Sequence, residues 1–115
     1  MENCVFCKIA KGEIPSEKIY EDDNFFSILD VNQKIKGHSL VISKKHFETL
    51  LDVPSTLGTE FIDCIKKTTF KLIDKYKLEG FNVVNNNFEA AGQAVKHFHA
   101  HVLPRKNGDN ASIVC

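Results

Sequence analysis

Short hydrophobic segments flank one longer periodic stretch in this chain. Residues 4–11 predict a short helix, ended by Gly12 with Pro15 just beyond it. Lys18 to Glu21 and Phe25-Phe26-Ser27-Ile28-Leu29 read as two strands, separated by the turn-forming run Glu21-Asp22-Asp23-Asn24. Gly37 opens a third strand, His38-Ser39-Leu40-Val41-Ile42, which runs into the basic Lys44-Lys45-His46. The period then changes. Leu57, Phe61, Ile65, Leu72 and Tyr76 recur mostly at three or four residues, predicting a long helix that starts near Pro54 and Ser55 and is stopped by Gly80. Phe81 to Asn85 and His97 to Leu103 read as the last two strands, the second closed by Pro104. Strands lie before and after one main helix, with no βαβ alternation. The expectation is an α+β fold: an antiparallel β-sheet of about five strands, one long helix and a short N-terminal helix. Phe25 and Phe26 point to opposite faces of their strand, so one of them is expected to be exposed or covered by a second subunit.

Length and composition narrow this picture. The 115 residues, 43% of them hydrophobic, suit a single domain over residues 1–115 with a modest core, which oligomerisation would help to stabilise. Fifteen Lys/Arg balance fifteen Asp/Glu, so charge offers no reason to expect nucleic acid or an anionic membrane as partner. No apolar run approaches the roughly 20 residues that span a bilayer. No basic region followed by an apolar stretch marks a signal peptide, so a cytoplasmic protein is expected. In that reducing setting the Cys4-x-x-Cys7 pair reads as metal-binding rather than disulfide-forming, and no strand precedes it as a thioredoxin-type motif requires. Cys64 and Cys115 stand alone.

The chemistry concentrates in residues 97–103, His-Phe-His-Ala-His-Val-Leu, which hold three of the five histidines. On a strand, His97, His99 and His101 share one face at spacings of about 6.5–7 Å, and Phe98, Ala100 and Val102 share the other. Such a row suits contact with successive atoms of one ligand. Gly92-Gln93-Ala94-Val95 precedes it, a turn whose amides suit a phosphate. A neutral imidazole is a good nucleophile near neutral pH, provided one ring nitrogen is free and the other donates to a carbonyl. Attack on phosphorus would then form a covalent nucleotidyl-histidine, with neighbouring donors stabilising the phosphate oxygens.

The segment Gly-Gln-Ala-Val-Lys-His-Phe-His-Ala-His-Val-Leu-Pro-Arg resembles the signature of the histidine-triad family of nucleotide hydrolases and transferases. Cys-Val-Phe-Cys-Lys-Ile, Ile-Leu-Asp-Val, Lys-Gly-His-Ser-Leu-Val-Ile-Ser-Lys-Lys-His and Asn-Val-Val-Asn-Asn-Asn extend the likeness over essentially the whole chain. The short bacterial-type members of the phosphoramidase branch are the most similar. The resemblance implies a homodimer that hydrolyses purine nucleoside 5′-phosphoramidates or related adducts, releasing AMP or GMP. A dinucleoside polyphosphate hydrolase and a nucleotide-binding module with weak turnover are the alternatives. By the same resemblance His99 is the nucleophile, and His101 contacts the phosphate and helps the leaving group. Asn86 and Gln93, with the amides of Ala94 and Val95, are phosphate-binding positions. Asp30 holds the ribose hydroxyls, Phe6, Ile9, Val31 and Leu40 line the base pocket, and His38 lies near the triad. Two departures stand out: relatives often carry a hydroxyl or an acid where Ala94 stands, and Gly where Phe88 stands. Cys4, Cys7, His46 and His97 form a Cys2His2 set suited to tetrahedral zinc, and some bacterial-type members bind a structural zinc at these positions. Without a metal, Cys4 and Cys7 would be small buried residues and His46 a surface residue after a strand.

Overall fold

The computed structural model describes residues 3–110, so Cys115 lies outside the described residues. Helix α1 spans Val5–Ala10, strands β1 to β3 span Lys18–Glu21, Phe25–Leu29 and Ser39–Ser43, and helix α2 spans Gly58–Tyr76. Strands β4, Gly80–Val84, and β5, His99–Arg105, complete one five-stranded sheet in the order β1-β2-β3-β5-β4. Every neighbouring pair is antiparallel. The last strand therefore sits inside the sheet, with Ile42 opposite His99 on one side and Val84 opposite His101 on the other.

Strand alternation divides the core between the two faces of the sheet. Phe25, Val41, Phe98 and Val102 pack against Cys64 and Leu72 of α2 on one face. Phe26, Ile28, Leu40 and Ile42 pack against Phe6 and Ile9 of α1 on the other. Each buried Phe or Leu contributes roughly 1.5–3 kcal/mol by leaving water. Phe25 and Phe26 are both fully buried within one chain, so the expectation that one needs a partner subunit is corrected: α1 covers the second face.

Four boundaries differ by more than one residue from the pattern-based expectation, each for a local reason. Two 3-10 turns, Leu50–Asp52 and Ser55–Leu57, lead into α2, and Thr49 caps the first with its side chain. The helix ends at Tyr76, where Lys77 adopts a left-handed conformation (φ 57) and donates to the Ile73 carbonyl; Gly80 begins the next strand instead of stopping the helix. Pro104 lies within β5 instead of closing it. Its missing N–H falls on the β3 side of the strand, and β3 has ended opposite Val102, so no ladder bond is lost. His97 precedes β5, which starts at His99, so the three histidines do not form one continuous strand stripe.

Candidate active site and metal-binding cluster

The first turn of α1 explains the Cys-x-x-Cys spacing. Cys4 is the N-cap, and its Sγ accepts the Cys7 amide at 3.5 Å, so one helical turn brings both sulfurs to the same side. His46 follows β3, and the segment before β5 is tied to it by the Phe98 amide donating to the Phe47 carbonyl at 2.6 Å. The result is a cluster. Cys4 Sγ lies 3.2 Å from His97 Nδ1, Cys7 Sγ lies 3.2 Å from His46 Nδ1, and the two Nδ1 atoms are 3.2 Å apart.

Hydrogen bonding on the far side of His97 defines what that ring presents. Its Nε2 donates to the Ser43 carbonyl at 2.6 Å, so Nδ1 carries a lone pair toward the sulfurs. Burial pushes the His97 pKa down to about 4, which keeps the ring neutral. Burial also raises the Cys7 thiol, helped by Cys4 beside it, so a bare thiolate is unfavourable without a cation to compensate it. The four donor atoms lie within 4.8 Å of one another. With metal–ligand bonds of 2.0–2.3 Å, a tetrahedron has edges of roughly 3.3–3.8 Å, which the observed separations approach. The donor set fits zinc.

Beside this cluster, across Phe6, a cavity of about 380 Å³ brings together Phe6, Ile9, Asp30, Val31, Leu40, Ala94, Val95, His99 and His101, with His38 and Gly92. The Phe6 ring meets His97 edge-on at 5.7 Å and His99 at 5.1 Å, so it packs on a ring from each site. His99 Nδ1 donates to the His97 carbonyl at 2.7 Å, leaving the Nε2 lone pair uncommitted by that bond. Burial lowers the His99 pKa, against the opposing effects of that carbonyl and of Asp30, and so favours the neutral ring. His101 is pushed down to about 4, first by burial and then by the neighbouring His99 and His38. His38 is lowered by burial despite the nearby Asp30 carboxylate.

Not every predicted residue faces that cavity. Asn86 and Gln93 are not among its lining residues. The Gln93 amide braces the loop instead: Nε2 donates to the Glu48 carbonyl at 2.6 Å, and Oε1 accepts the Phe88 amide at 2.8 Å. Phe88 holds φ 71 and ψ 156, a region that favours glycine, while its side chain is exposed. Asn85, which sequence reasoning left unassigned, donates from Nδ2 to the His99 carbonyl at 2.9 Å and accepts from Asn87 at 2.7 Å. The run of three amide side chains at the end of β4 was its only signal. Ser43 was also missed, because a backbone carbonyl leaves no mark in side-chain chemistry.

A model of the HIT domain matches residues 11–108. The chain belongs to the HIT family. A HIT-like protein of Methanocaldococcus jannaschii is 45% identical over 92% of this chain and 81% of its own length. An adenosine 5′-monophosphoramidase of Saccharomyces cerevisiae is 37% identical over 96% of this chain and 68% of its own. Among solved structures, a HIT family member from Bacillus subtilis superposes with a TM-score of 0.86 at 42% identity, covering 92% of this chain and 75% of that one. A zinc-bound histidine-triad protein from Mycobacterium smegmatis gives 0.89 at 38% identity, over 98% and 82%. The α+β expectation holds at the level of the family fold. One relative of this HIT protein is zinc-bound, and the Cys4, Cys7, His46, His97 cluster of this chain is compatible with zinc.

Proposed function

We propose that this HIT protein hydrolyses nucleoside 5′-phosphoramidates or related nucleotide adducts through a covalent nucleotidyl-His99 intermediate. The observation that carries the proposal is the 2.7 Å bond from His99 Nδ1 to the His97 carbonyl, which orients a neutral imidazole with Nε2 available. Nε2 attacks the α-phosphorus, and the bond to the leaving amine breaks as the amine nitrogen takes up a proton. Water then hydrolyses the new phosphorus–Nε2 bond, restoring His99 and releasing the nucleoside monophosphate. His101 and the amides of Ala94 and Val95 serve the phosphate oxygens, Asp30 the ribose, and Phe6, Ile9, Val31 and Leu40 the base. The names of the yeast monophosphoramidase and of an adenylylsulfatase relative from Arabidopsis thaliana support this substrate class.

Zinc held by Cys4, Cys7, His46 and His97 would have its four positions filled by protein atoms and would therefore serve a structural role. Reduced Cys4 and Cys7 suit a cytoplasmic setting. A homodimer is supported by β4, a sheet-edge strand whose Phe81 and Val83 are 47% and 45% exposed. The deciding experiment is a quench of the reaction with an adenosine phosphoramidate, followed by mass mapping of the protein. An adenylyl group on His99 is expected; turnover with the adduct on another residue, or with none, overturns the mechanism.

A further inference from the structure

Asp30, His38 and His101 line the cavity and bring one ligand atom each within 4.8 Å of one another. Such a trio suits either a divalent cation or a chain of hydrogen bonds. The backbone discriminates between them. The Lys34 amide N–H points at His38 Nδ1 at 3.3 Å. An amide nitrogen donates only, so His38 Nδ1 keeps its lone pair and the proton of the neutral ring sits on Nε2. His38 Nε2 lies 2.9 Å from His101 Nδ1 and 3.5 Å from Asp30 Oδ2. The nearer contact makes His101 Nδ1 the acceptor, which places the proton of His101 on its own Nε2. A cation on His38 Nε2 would drive the ring proton to Nδ1, where it would face the Lys34 N–H donor to donor.

We propose that the Lys34 amide and His38 are positioning groups that lock His101 in its Nε2–H tautomer, as a fixed hydrogen-bond donor to a bound phosphate oxygen, and that this trio excludes a metal ion. The 30–37 loop is built to hold the amide in place. Asp30 Oδ1 accepts the Asn32 amide at 3.0 Å, Gln33 Oε1 accepts the Gly37 amide at 2.8 Å, and the His38 amide donates to Ile35 at 2.8 Å. Gly37 has φ +90, and a Cβ there would lie 2.9 Å from the Tyr76 ring, so the loop seats closely against the end of α2. The kinetic consequence rests on the proposed hydrolase activity; the tautomers do not.

Long-range proton–nitrogen spectra of the 15N-histidine-labelled, zinc-loaded protein read each ring directly. Single Nε2–H patterns are expected for His38 and His101, with a through-bond coupling between the Lys34 amide nitrogen and His38 Nδ1. An Nδ1–H or mixed pattern for His101 overturns the proposal, whatever the protein hydrolyses. K34A retains the amide and is expected to retain both patterns, whereas K34P removes the donor and is expected to mix them. In K34P, kcat falls on the order of 10²-fold, the effect of losing one pre-placed donor, with a smaller change in KM. Unchanged tautomers in a folded K34P also overturn it, and the wild-type spectrum decides alone if K34P does not fold. Added Zn²⁺ beyond the first equivalent is expected to leave the His38 and His101 signals in place; shifts of both rings would mean that the trio binds metal.

Discussion

His97 and His99 stand two residues apart, both buried, and each gives one ring nitrogen to a backbone carbonyl, yet they face different chemistry. His97 uses Nε2, on Ser43, and turns Nδ1 toward two sulfurs and another imidazole. His99 uses Nδ1, on the carbonyl of His97 itself, which leaves Nε2 outside that bond in a ring that lines the cavity. Which nitrogen the backbone takes decides which one each ring presents: Nδ1 to the metal-compatible cluster for His97, Nε2 for His99. The comparison also links the two sites: the residue that would bind the metal supplies the carbonyl that orients the proposed nucleophile.

The largest expected effect breaks the nucleophile side alone. His99→Asn should lower kcat by about 10⁴-fold or more while thermal unfolding changes little; residual turnover within tenfold of the wild type would remove His99 from the covalent step. Breaking the ligand side should do the reverse. Chelation, or Cys7→Ser, removes about 4 kcal/mol if zinc is bound at a thousandfold its dissociation constant, a fall in Tm of roughly 15 °C by calorimetry. The rate per folded molecule should fall less, and an equal loss of rate at intact fold would make the cluster catalytic.

Acid separates the sites further. The folded-state pKa of His101 is depressed to about 4, so the unfolded chain binds more protons between pH 6.5 and about 4. Stability from this group is therefore present above pH 6.5 and is lost as pH falls toward 4. Acid also releases a zinc held by thiolates, so the useful measurement is a difference: urea unfolding of wild type against His101→Gln should diverge less at pH 5 than at pH 7.5. The smallest effect lies outside both sites. Phe88→Gly relieves an unfavourable backbone conformation and should raise stability by about 1 kcal/mol after the entropy cost of glycine, visible as a higher urea midpoint.

Much of the fold was legible because strand and helix periods bury different faces. Phe25 and Phe26 announced a strand with two apolar faces, and α1 and α2 supply the two covers. The limits of the elements were less legible: Lys77 ends α2 in a conformation that a lysine side chain does not advertise. At the site, the residue types pointed to phosphate and zinc chemistry, but Gln93 spends its side chain on the Glu48 and Phe88 backbone rather than lining the cavity. Asn85 holds the His99 carbonyl through a bond between β4 and β5 that no local pattern encodes.

From the sequence alone come the α+β layout, the His-Phe-His-Ala-His run, the Cys-x-x-Cys turn and the family resemblance, because periodicity and ligand spacing are local properties. Only the tertiary structure shows that His97 leaves the strand stripe, that Ser43 and His97 carbonyls orient the two rings, and that the Lys34 amide faces His38. Those decisions depend on backbone groups, which every residue carries alike, and only folding determines which of them meets which imidazole nitrogen.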